Sequence, residues 1–214
     1  MTRVAILISG SGTNLQAFID AISQGTLTVE IAVVLSNRPD AYGLTRARDA
    51  NIPTECVQNE NYPDRAAFDE AMATTLERYK PDLLILAGFM RILTSMFVKR
   101  FEGRILNIHP ALLPNFRGLN THQRAIDAGE KWHGSTVHFV TEELDAGPMI
   151  LQGRVPVLCE DTESLLSARV QALEHKIYPE AAALFASGRL EFRNGESWLD
   201  DSRLDEPIQF NGEN

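Results

Sequence analysis

Cysteine is scarce in this sequence, whose 214 residues include only Cys56 and Cys159. The two thiols form no Cys-x-x-Cys pair and no cluster with histidine at zinc-ligand spacing, so we expect no metal site. Disulfide-rich secreted scaffolds are excluded as well, because they need several cysteines in a short chain. The apolar or β-branched neighbours of both residues predict buried or half-buried thiols, as in a protein of the reducing cytoplasm.

The sequence also has few positive charges relative to negative ones, and it has no long apolar run near its start. Lysine and arginine number 20 against 29 aspartates and glutamates, which gives a formal net charge of -9. Nucleic-acid binders normally present a basic face, so we expect no nucleic-acid partner. The longest early apolar run, Val4–Ile8, is too short for a signal-peptide core or a membrane span. We therefore expect a soluble cytoplasmic protein with no membrane partner, which can still bind a small anionic ligand.

Apolar, β-rich runs alternate with segments of helical period along the whole chain. Apolar stripes at helical spacing begin at Leu15, Phe68 and Leu165. This alternation predicts the α/β class, with a Rossmann-like, mostly parallel twisted sheet flanked by helices. Polar alternation at His138 and the break at Pro156 predict mixed strands, antiparallel or at an edge, toward the C-terminus. The predicted strands are Val4–Ile8, Ile31–Leu35, Leu83–Ala87, Ile105–Ile108, Val137–Val140 and Ile150–Val157.

The chain length fits one domain over residues 1–214, and no repeat or low-complexity stretch divides it. Beyond Arg203 the sequence is polar and acidic residues stand close together. We therefore expect a flexible tail over about the last 12 residues.

A glycine-containing loop, Ser9–Asn14, stands between the first predicted strand and the first predicted helix. Glycines allow a close approach to a ligand, and a helix N-terminus offers unpaired amides and a positive dipole end, so the loop is suited to phosphate. The alternative is a tight turn capped by Thr13 or Asn14, without a ligand. Leu15 replaces the third glycine of the dinucleotide fingerprint, and the nucleotide hydrolase Gly-Lys-Ser/Thr is absent. A monophosphate therefore suits the loop best.

Asn107 and His109 stand two residues apart at the end of a predicted strand, immediately before Pro110. Their side chains share one face, and ligands of open α/β sheets collect beyond the carboxyl ends of the strands. An amide can stabilise an oxyanion and an imidazole can move protons, which together suit acyl transfer. Asp145, on a loop before Gly-Pro, is the candidate acid to pair with the imidazole. The alternatives are a capped strand whose histidine binds a carbonyl, and one more solvated acid.

The other histidines compete less well for a catalytic role. His133 stands in a polar segment and is expected to be exposed, and His175 is expected on a helix surface. His122 is explained by the start of a helix. His138, inside a strand, is expected to be a hydrogen-bonded core residue.

Five segments in this order resemble the folate-dependent phosphoribosylglycinamide formyltransferases. They are Ser9–Gln16, Leu86–Leu93, Leu106–Pro110, His133–Val140 and Asp145–Pro148. The resemblance covers nearly the whole chain and implies a Rossmann-like formyltransferase fold. It also implies transfer of the formyl group of 10-formyltetrahydrofolate, a co-substrate, to the amine of glycinamide ribonucleotide in purine synthesis. No permanently bound cofactor is implied.

The resemblance further implies roles for individual residues. The catalytic trio falls on Asn107, His109 and Asp145. Residues implied to bind the ribonucleotide are Gly12, Thr13, Asn14, Gln171 and Glu174, the last near its amine. Residues implied to bind the folate are Arg65, Met90, Arg91, Ile92, Leu93, Asn107, Thr141, Glu142, Glu143, Leu144 and Asp145.

One position departs from the family pattern, and several alternatives stay open. Asn120 stands where the family more often has histidine, so any role of that histidine is in doubt here.

A hydrolase that releases formate with the same trio is the nearest rival function, although such enzymes carry an N-terminal regulatory domain for which we expect no room. A transferase acting on initiator transfer RNA would need a basic surface to bind its substrate. A non-catalytic nucleotide-binding module would not need the catalytic trio. The sequence leaves monomer and homodimer equally open.

Overall fold

The computed structural model describes residues 1–210. Two compact units divide the chain, one over Met1–Asn107 and one that begins at Ile108. The expectation of one domain over residues 1–214 stays a prediction.

The first unit is built on a sheet of parallel strands in the order β3-β2-β1-β4-β5. Thr2 stands opposite Val29 on one side of β1, and Val4 stands opposite Leu83 on the other. Strand order therefore reverses at β1, which makes the ends of β1 and β4 a topological switch point. The strands are β1 (Thr2–Ile8), β2 (Val29–Ser36), β3 (Thr54–Cys56), β4 (Leu83–Leu86) and β5 (Ile105–His109).

Burial explains why these apolar runs form central strands. Val4–Ile8 is wholly buried, as expected for a strand covered on both faces. The helices of this unit are α1 (Thr13–Ser23), α2 (Tyr42–Asp49), α3 (Arg65–Glu77) and α4 (Ser95–Arg100). The predicted stripes are buried at Leu15 and Phe18 of α1 and at Phe68 and Met72 of α3. Helices α2 and α4 and strand β3 were not predicted, because each is too short to show a period.

The second unit contains a mixed sheet and a long helix. Strands β6 (Trp132–Phe139) and β7 (Met149–Pro156) pair in antiparallel fashion, and β11 (Ile208–Phe210) pairs with β7 in parallel. Helix α6 (Glu163–Ala186) packs on β6 and β7, and α5 (Thr121–Asp127) packs on α6. A separate antiparallel sheet consists of β8 (Leu190–Arg193), β9 (Glu196–Leu199) and β10 (Ser202–Arg203).

The predicted fold class is confirmed: the protein is α/β, with mostly parallel strands flanked by helices and mixed strands toward the C-terminus. The flexible tail over about the last 12 residues stays a prediction; within it, Ile208–Phe210 is paired with Leu151–Gly153. The rest of that tail, residues 211–214, lies outside the described residues. Among residues 1–210, no helix combines the length and the apolar character that crossing a bilayer requires.

The predicted burial of the two thiols is wrong, since both cysteines are free and exposed. Cys56 ends β3, which is the outer strand of its sheet, and Cys159 lies in the turn after β7. Apolar neighbours in sequence do not bury a side chain at such positions.

Candidate functional site

The glycine loop leads from β1 into α1 with Gly12 as the N-cap. Gly12 has φ +70°, and a Cβ there would lie 2.6 Å from the Cα of Gly43 in α2. Only glycine fits this left-handed, closely packed position. The capping alternative with Thr13 or Asn14 is wrong, because both are already in the helix. The N-cap has no side chain to cover the first-turn amides, which is the arrangement that suits an anion.

Ser9 links the ends of three strands of the first unit. Its buried hydroxyl donates to Oδ1 of Asn37 at 2.6 Å and accepts the backbone N–H of Met90 at 2.8 Å. These partners follow β2 and β4, while Ser9 itself follows β1. The start of the glycine loop is therefore fixed to the segment after β4, which the resemblance assigns to folate. Sequence reasoning missed this role, since a serine beside glycine reads only as turn chemistry.

The segment after β4 presents apolar side chains to solvent. Met90 is 71% exposed and Ile92 is 56% exposed, whereas Leu93 is half-buried. The guanidinium of Arg91 lies 5.9 Å from the ring centroid of Phe68 on α3. Exposed apolar side chains beside a strand end are a suitable surface for a flat ligand. The other implied folate residue of this unit, Arg65, is the exposed first residue of α3.

His109 and Asp145 meet, as the sequence predicted. Nδ1 of His109 lies 3.4 Å from Oδ2 of Asp145, and both side chains are almost completely buried. The distance is long for a hydrogen bond and describes an ion-pair contact. The same Oδ2 accepts the N–H of Gly118 at 3.0 Å. The solvated-acid alternative does not account for a buried pair of this kind, whereas the histidine does contact a nearby carbonyl as the capped-strand alternative expects.

The hydrogen bonds of His109 indicate which protons its ring carries. Nε2 lies 3.0 Å from the carbonyl oxygen of Phe116, which can only accept, so Nε2 carries a proton. Nδ1 faces the carboxylate of Asp145, which is also an acceptor when ionised. Each ring nitrogen of His109 therefore has an acceptor oxygen beside it.

His138 confirms the prediction of a hydrogen-bonded core histidine. Its Nδ1 donates to the carbonyl of Phe139 at 2.8 Å, so Nε2 is an acceptor in the neutral ring. That Nε2 lies 4.0 Å from Oδ1 of Asp145, a proximity that sequence reasoning did not predict. Burial lowers the pKa of His138 to about 4, so the ring is neutral at pH 7.

His133 is buried, and the prediction of an exposed residue is wrong. It lies inside β6 opposite Val155, where a strand and not a turn sets the side-chain direction. Its ring packs edge-on against His122 and Phe116. Burial lowers the pKa of His133 to about 4 and also lowers the pKa of His122. Burial therefore favours the neutral form of both rings.

The loop before Asp145 carries the other implied folate residues. Leu144 is 53% exposed, while Glu143 forms an ion pair with Arg117 at 2.8 Å. Thr141 is half-buried and Glu142 is exposed. The loop closes at Gly147, where an added Cβ would lie 1.8 Å from the carbonyl oxygen of Phe139. This glycine holds the loop against β6 and so fixes the position of Asp145.

Glu174 and Gln171 both lie on α6 but differ in exposure. Glu174 is buried and its Oε1 lies 3.0 Å from the hydroxyl oxygen of Ser135 on β6. Gln171 is exposed. The serine contact was missed from the sequence, because a short polar residue inside a strand carries no distinctive spacing. Its one signal is its position in β6, two residues after His133 and on the same face.

The third residue of the predicted trio is Asn107, and its catalytic role stays a prediction. It is half-buried, stands opposite Leu86 of β4, and precedes His109 by two residues within β5. Strand alternation directs both side chains to the same face. Among the described residues there is no group of three or more histidine, cysteine, aspartate or glutamate side chains arranged to hold a metal ion.

Comparison with known proteins agrees with this architecture. The formyl transferase family pattern matches residues 2–182. A phosphoribosylglycinamide formyltransferase of Escherichia coli is 48% identical over 94% of this chain and 95% of its own. The solved structure of a phosphoribosylglycinamide formyltransferase from Coxiella burnetii, in complex with CHES, superposes with a TM-score of 0.94 at 50% identity. That match covers 98% of this chain and 99% of the other.

A formyltetrahydrofolate deformylase from Pseudomonas syringae is a more distant neighbour. It is 25% identical with a TM-score of 0.85, over 92% of this chain and 65% of the other. The family match and the near-complete coverage of the E. coli relative confirm the resemblance drawn from the sequence motifs. The chain belongs to the formyl transferase family.

Proposed function

We propose that this protein transfers the formyl group of 10-formyltetrahydrofolate to the amine of 5-phosphoribosylglycinamide, a step of de novo purine synthesis. The observation that carries the proposal is the near full-length identity, 48%, to a phosphoribosylglycinamide formyltransferase. The buried His109–Asp145 pair at a strand end supplies groups that such a transfer needs. The folate is a co-substrate that is consumed in each turnover, and the proposal requires no resident metal or cofactor.

The ribonucleotide phosphate is proposed to bind at Gly12, Thr13 and Asn14. The positive end of α1 and the close backbone approach that Gly12 allows support this assignment. Gln171 and Glu174 are proposed to contact the same substrate, with Glu174 near the amine. A buried carboxylate is a suitable partner for an amine that enters the site as an ammonium ion.

In the proposed chemistry the amine nitrogen attacks the formyl carbon, and the carbonyl electron pair moves to the formyl oxygen. Asn107 and the Nε2–H of His109 would stabilise that oxyanion. The amine nitrogen loses one proton as it becomes an amide, and His109 relays a proton to the folate nitrogen as the bond between that nitrogen and the formyl carbon breaks, while Asp145 stabilises the imidazolium. Nε2–H donates to the carbonyl of Phe116 in this structure, so the formyl oxygen must replace that carbonyl in the reacting complex.

The folate is proposed to bind the segment Met90–Leu93, Arg65 and the loop Thr141–Asp145. Support comes from the exposed apolar side chains of Met90, Ile92 and Leu144. Because these side chains are exposed apolar surface, covering them with a pterin ring would add favourable burial.

A formyl hydrolase is the second candidate, because the P. syringae deformylase shares the fold. The decisive experiment mixes the purified protein with 10-formyltetrahydrofolate, with and without 5-phosphoribosylglycinamide, and follows folate deformylation. The transferase predicts deformylation only when the amine substrate is present, with one formylated ribonucleotide formed for each folate consumed. Equal deformylation without the amine would establish the hydrolase and refute the proposal.

A cytoplasmic location is part of the same proposal. Cys56 and Cys159 are both free and exposed, which suits a reducing compartment.

A further inference from the structure

Helix α2 holds the glycine loop that is proposed to bind the ribonucleotide phosphate. The N–H of Gly43 donates to the carbonyl of Gly10 at 3.0 Å, and Nε of Arg46 donates to the carbonyl of Ser11 at 2.9 Å. The side chain of Arg46 also lies beside Gly12, because a Cβ added there would be 3.6 Å from its Cδ. Two consecutive carbonyls of the loop are therefore fixed by one helix.

The direction of these carbonyls determines the direction of the loop amides. In a trans peptide unit, the C=O of one residue and the N–H of the next point to opposite sides. Both peptide units are trans and their carbonyls point to α2, so the N–H groups of Ser11 and Gly12 point away from that helix. The bond from Arg46 thus sets the orientation of the Gly12 amide, at the N-cap of α1.

The guanidinium of Arg46 is held by neutral groups. Its Nη1 donates to Oε1 of Gln16 on α1 at 3.0 Å, and its Cζ lies 5.0 Å from the ring centroid of Tyr42. Over residues 1–210 these contacts and the bond to Ser11 involve no carboxylate, whereas the nearby Arg38 pairs with Asp40 at 2.8 Å. The positive charge of Arg46 is therefore not cancelled by an acid in contact with it.

We propose that Arg46 is a positioning residue for the phosphate of the substrate. It holds the peptide between Ser11 and Gly12 with its N–H toward the phosphate, and its unpaired charge favours an anion at that place. The inference rests on the proposed function, in which the phosphate binds at Gly12, Thr13 and Asn14. The planar guanidinium makes its bonds to the Ser11 carbonyl and to Gln16 in one rigid fork, which a lysine cannot reproduce. Arg46 thus sets the affinity for the ribonucleotide and takes no part in formyl transfer itself.

The test measures steady-state transfer from 10-formyltetrahydrofolate to 5-phosphoribosylglycinamide by Arg46→Gln and Arg46→Lys. Glutamine removes both the charge and the fork, so the KM for the ribonucleotide should rise about 10-fold to 100-fold, the effect of losing a hydrogen bond from a charged group. Lysine keeps the charge but loses the fork, so we expect an intermediate rise of about fivefold. In both variants kcat and the KM for the folate should stay within about twofold of their original values, because only ground-state binding of one substrate is removed.

Arg48→Gln is the matched control. Arg48 lies two residues later on the same helix, is exposed, and removes the same formal charge when it is replaced. It should leave both KM values within about twofold, because an exposed charge away from the loop contributes little. Thermal melts of all the variants report folding.

The outcomes distinguish this inference from the proposed function. An unchanged KM for the ribonucleotide in Arg46→Gln, equal increases in both KM values, or an equal effect of Arg48→Gln would each overturn the role of Arg46 while formyl transfer by the unaltered protein stands. Complete recovery by lysine would refute the positioning of the peptide, and a lysine variant as weak as the glutamine variant would refute the contribution of the charge. Absence of any amine-dependent transfer by the unaltered protein would overturn the proposed function and this inference together.

Discussion

Replacing Asp145 by asparagine tests the charge of the His109–Asp145 pair while it preserves shape. An asparagine oxygen can still accept the N–H of Gly118, and its NH₂ group can donate to Nδ1 of His109. The ring keeps its proton on Nε2 while Nδ1 accepts, and no carboxylate charge is left beside it to stabilise a protonated imidazole during the reaction. The left-handed backbone at this position, φ +49°, is one that asparagine tolerates well.

The expected magnitude follows from the geometry of the pair. Two unit charges separated by the 3.4 Å between Nδ1 and Oδ2 interact by about 5 kcal/mol at an effective dielectric constant of about 20. This value is a ceiling on the stabilisation that the imidazolium loses. Since each factor of ten in rate is about 1.4 kcal/mol, the ceiling is between about 10³-fold and 10⁴-fold. We expect kcat to fall about 10³-fold, within the usual range for acid–base catalysis.

The assay follows folate deformylation at saturating concentrations of both substrates, with KM values for each determined separately. The matched control is Asp200→Asn, since Asp200 also has a positive φ of 48° and pairs with an arginine, Arg189, but is exposed. That control should change kcat by less than about twofold, because exposed ion pairs contribute little. A kcat for Asp145→Asn within fivefold of the original, in a folded protein, would refute the reasoning.

Three further predictions concern stability and the first unit. Gly12→Ala should lower the free energy of unfolding by about 2–4 kcal/mol and abolish phosphate-dependent binding, because the added Cβ combines left-handed strain with overlap on the backbone of α2. Urea titration measures the loss of stability. The control is Gly10→Ala, which should be stable because nothing lies within 4 Å of its added Cβ. Ser9→Ala should cost about 1–3 kcal/mol of folding stability, since it leaves a backbone amide and a buried side-chain amide without their partner. The same substitution should raise the KM for the folate. An unchanged denaturation midpoint would contradict the expected loss of stability. Folding stability should fall as pH drops from about 6.5 toward about 4, because the folded protein binds a proton at His138 more weakly than the unfolded chain does. His138→Asn should reduce the slope of stability against pH by up to about 1.4 kcal/mol per pH unit. An unaltered slope, measured by urea denaturation, would contradict the assignment.

The fold class was predictable because the strands of the first unit are long, apolar and buried on both faces. Val4–Ile8 and Leu83–Ala87 read directly as strands for this reason, and the stripe from Leu15 reads as a helix. Short elements such as β3 and α4 carry no period and were missed. The predicted start of β6, Val137, is five residues later than its actual start at Trp132, because the polar residues Lys131–His133 suggested a turn where the chain is extended.

The pairing of His109 with Asp145 was predictable from the sequence only through residue types at a strand end and a loop. Chemistry favours an acid beside an imidazole, the loop before Gly-Pro made Asp145 the candidate among the neighbouring acids, and the resemblance then implied the same residue. The burial of His133 and the approach of His138 to Asp145 could not be predicted in this way. Both depend on the register of β6 against β7, where Trp132 stands opposite Pro156, and a one-residue shift in register would reverse the faces.

Backbone groups supply contacts at this site that cannot be predicted from residue types. The carbonyl of Phe116 accepts from His109, and the N–H of Gly118 donates to Asp145. The loop that provides both groups has positive φ angles at Phe116, Gly118 and Asn120. Such conformations are unfavourable for a residue as large as phenylalanine, and they persist where surrounding contacts hold them. Asparagine tolerates φ +57° better than most residues, so Asn120 suits this loop as a backbone residue and as the N-cap of α5. Its departure from the family's usual histidine therefore leaves the contacts of His109 and Asp145 intact, because the loop makes those contacts through its main chain.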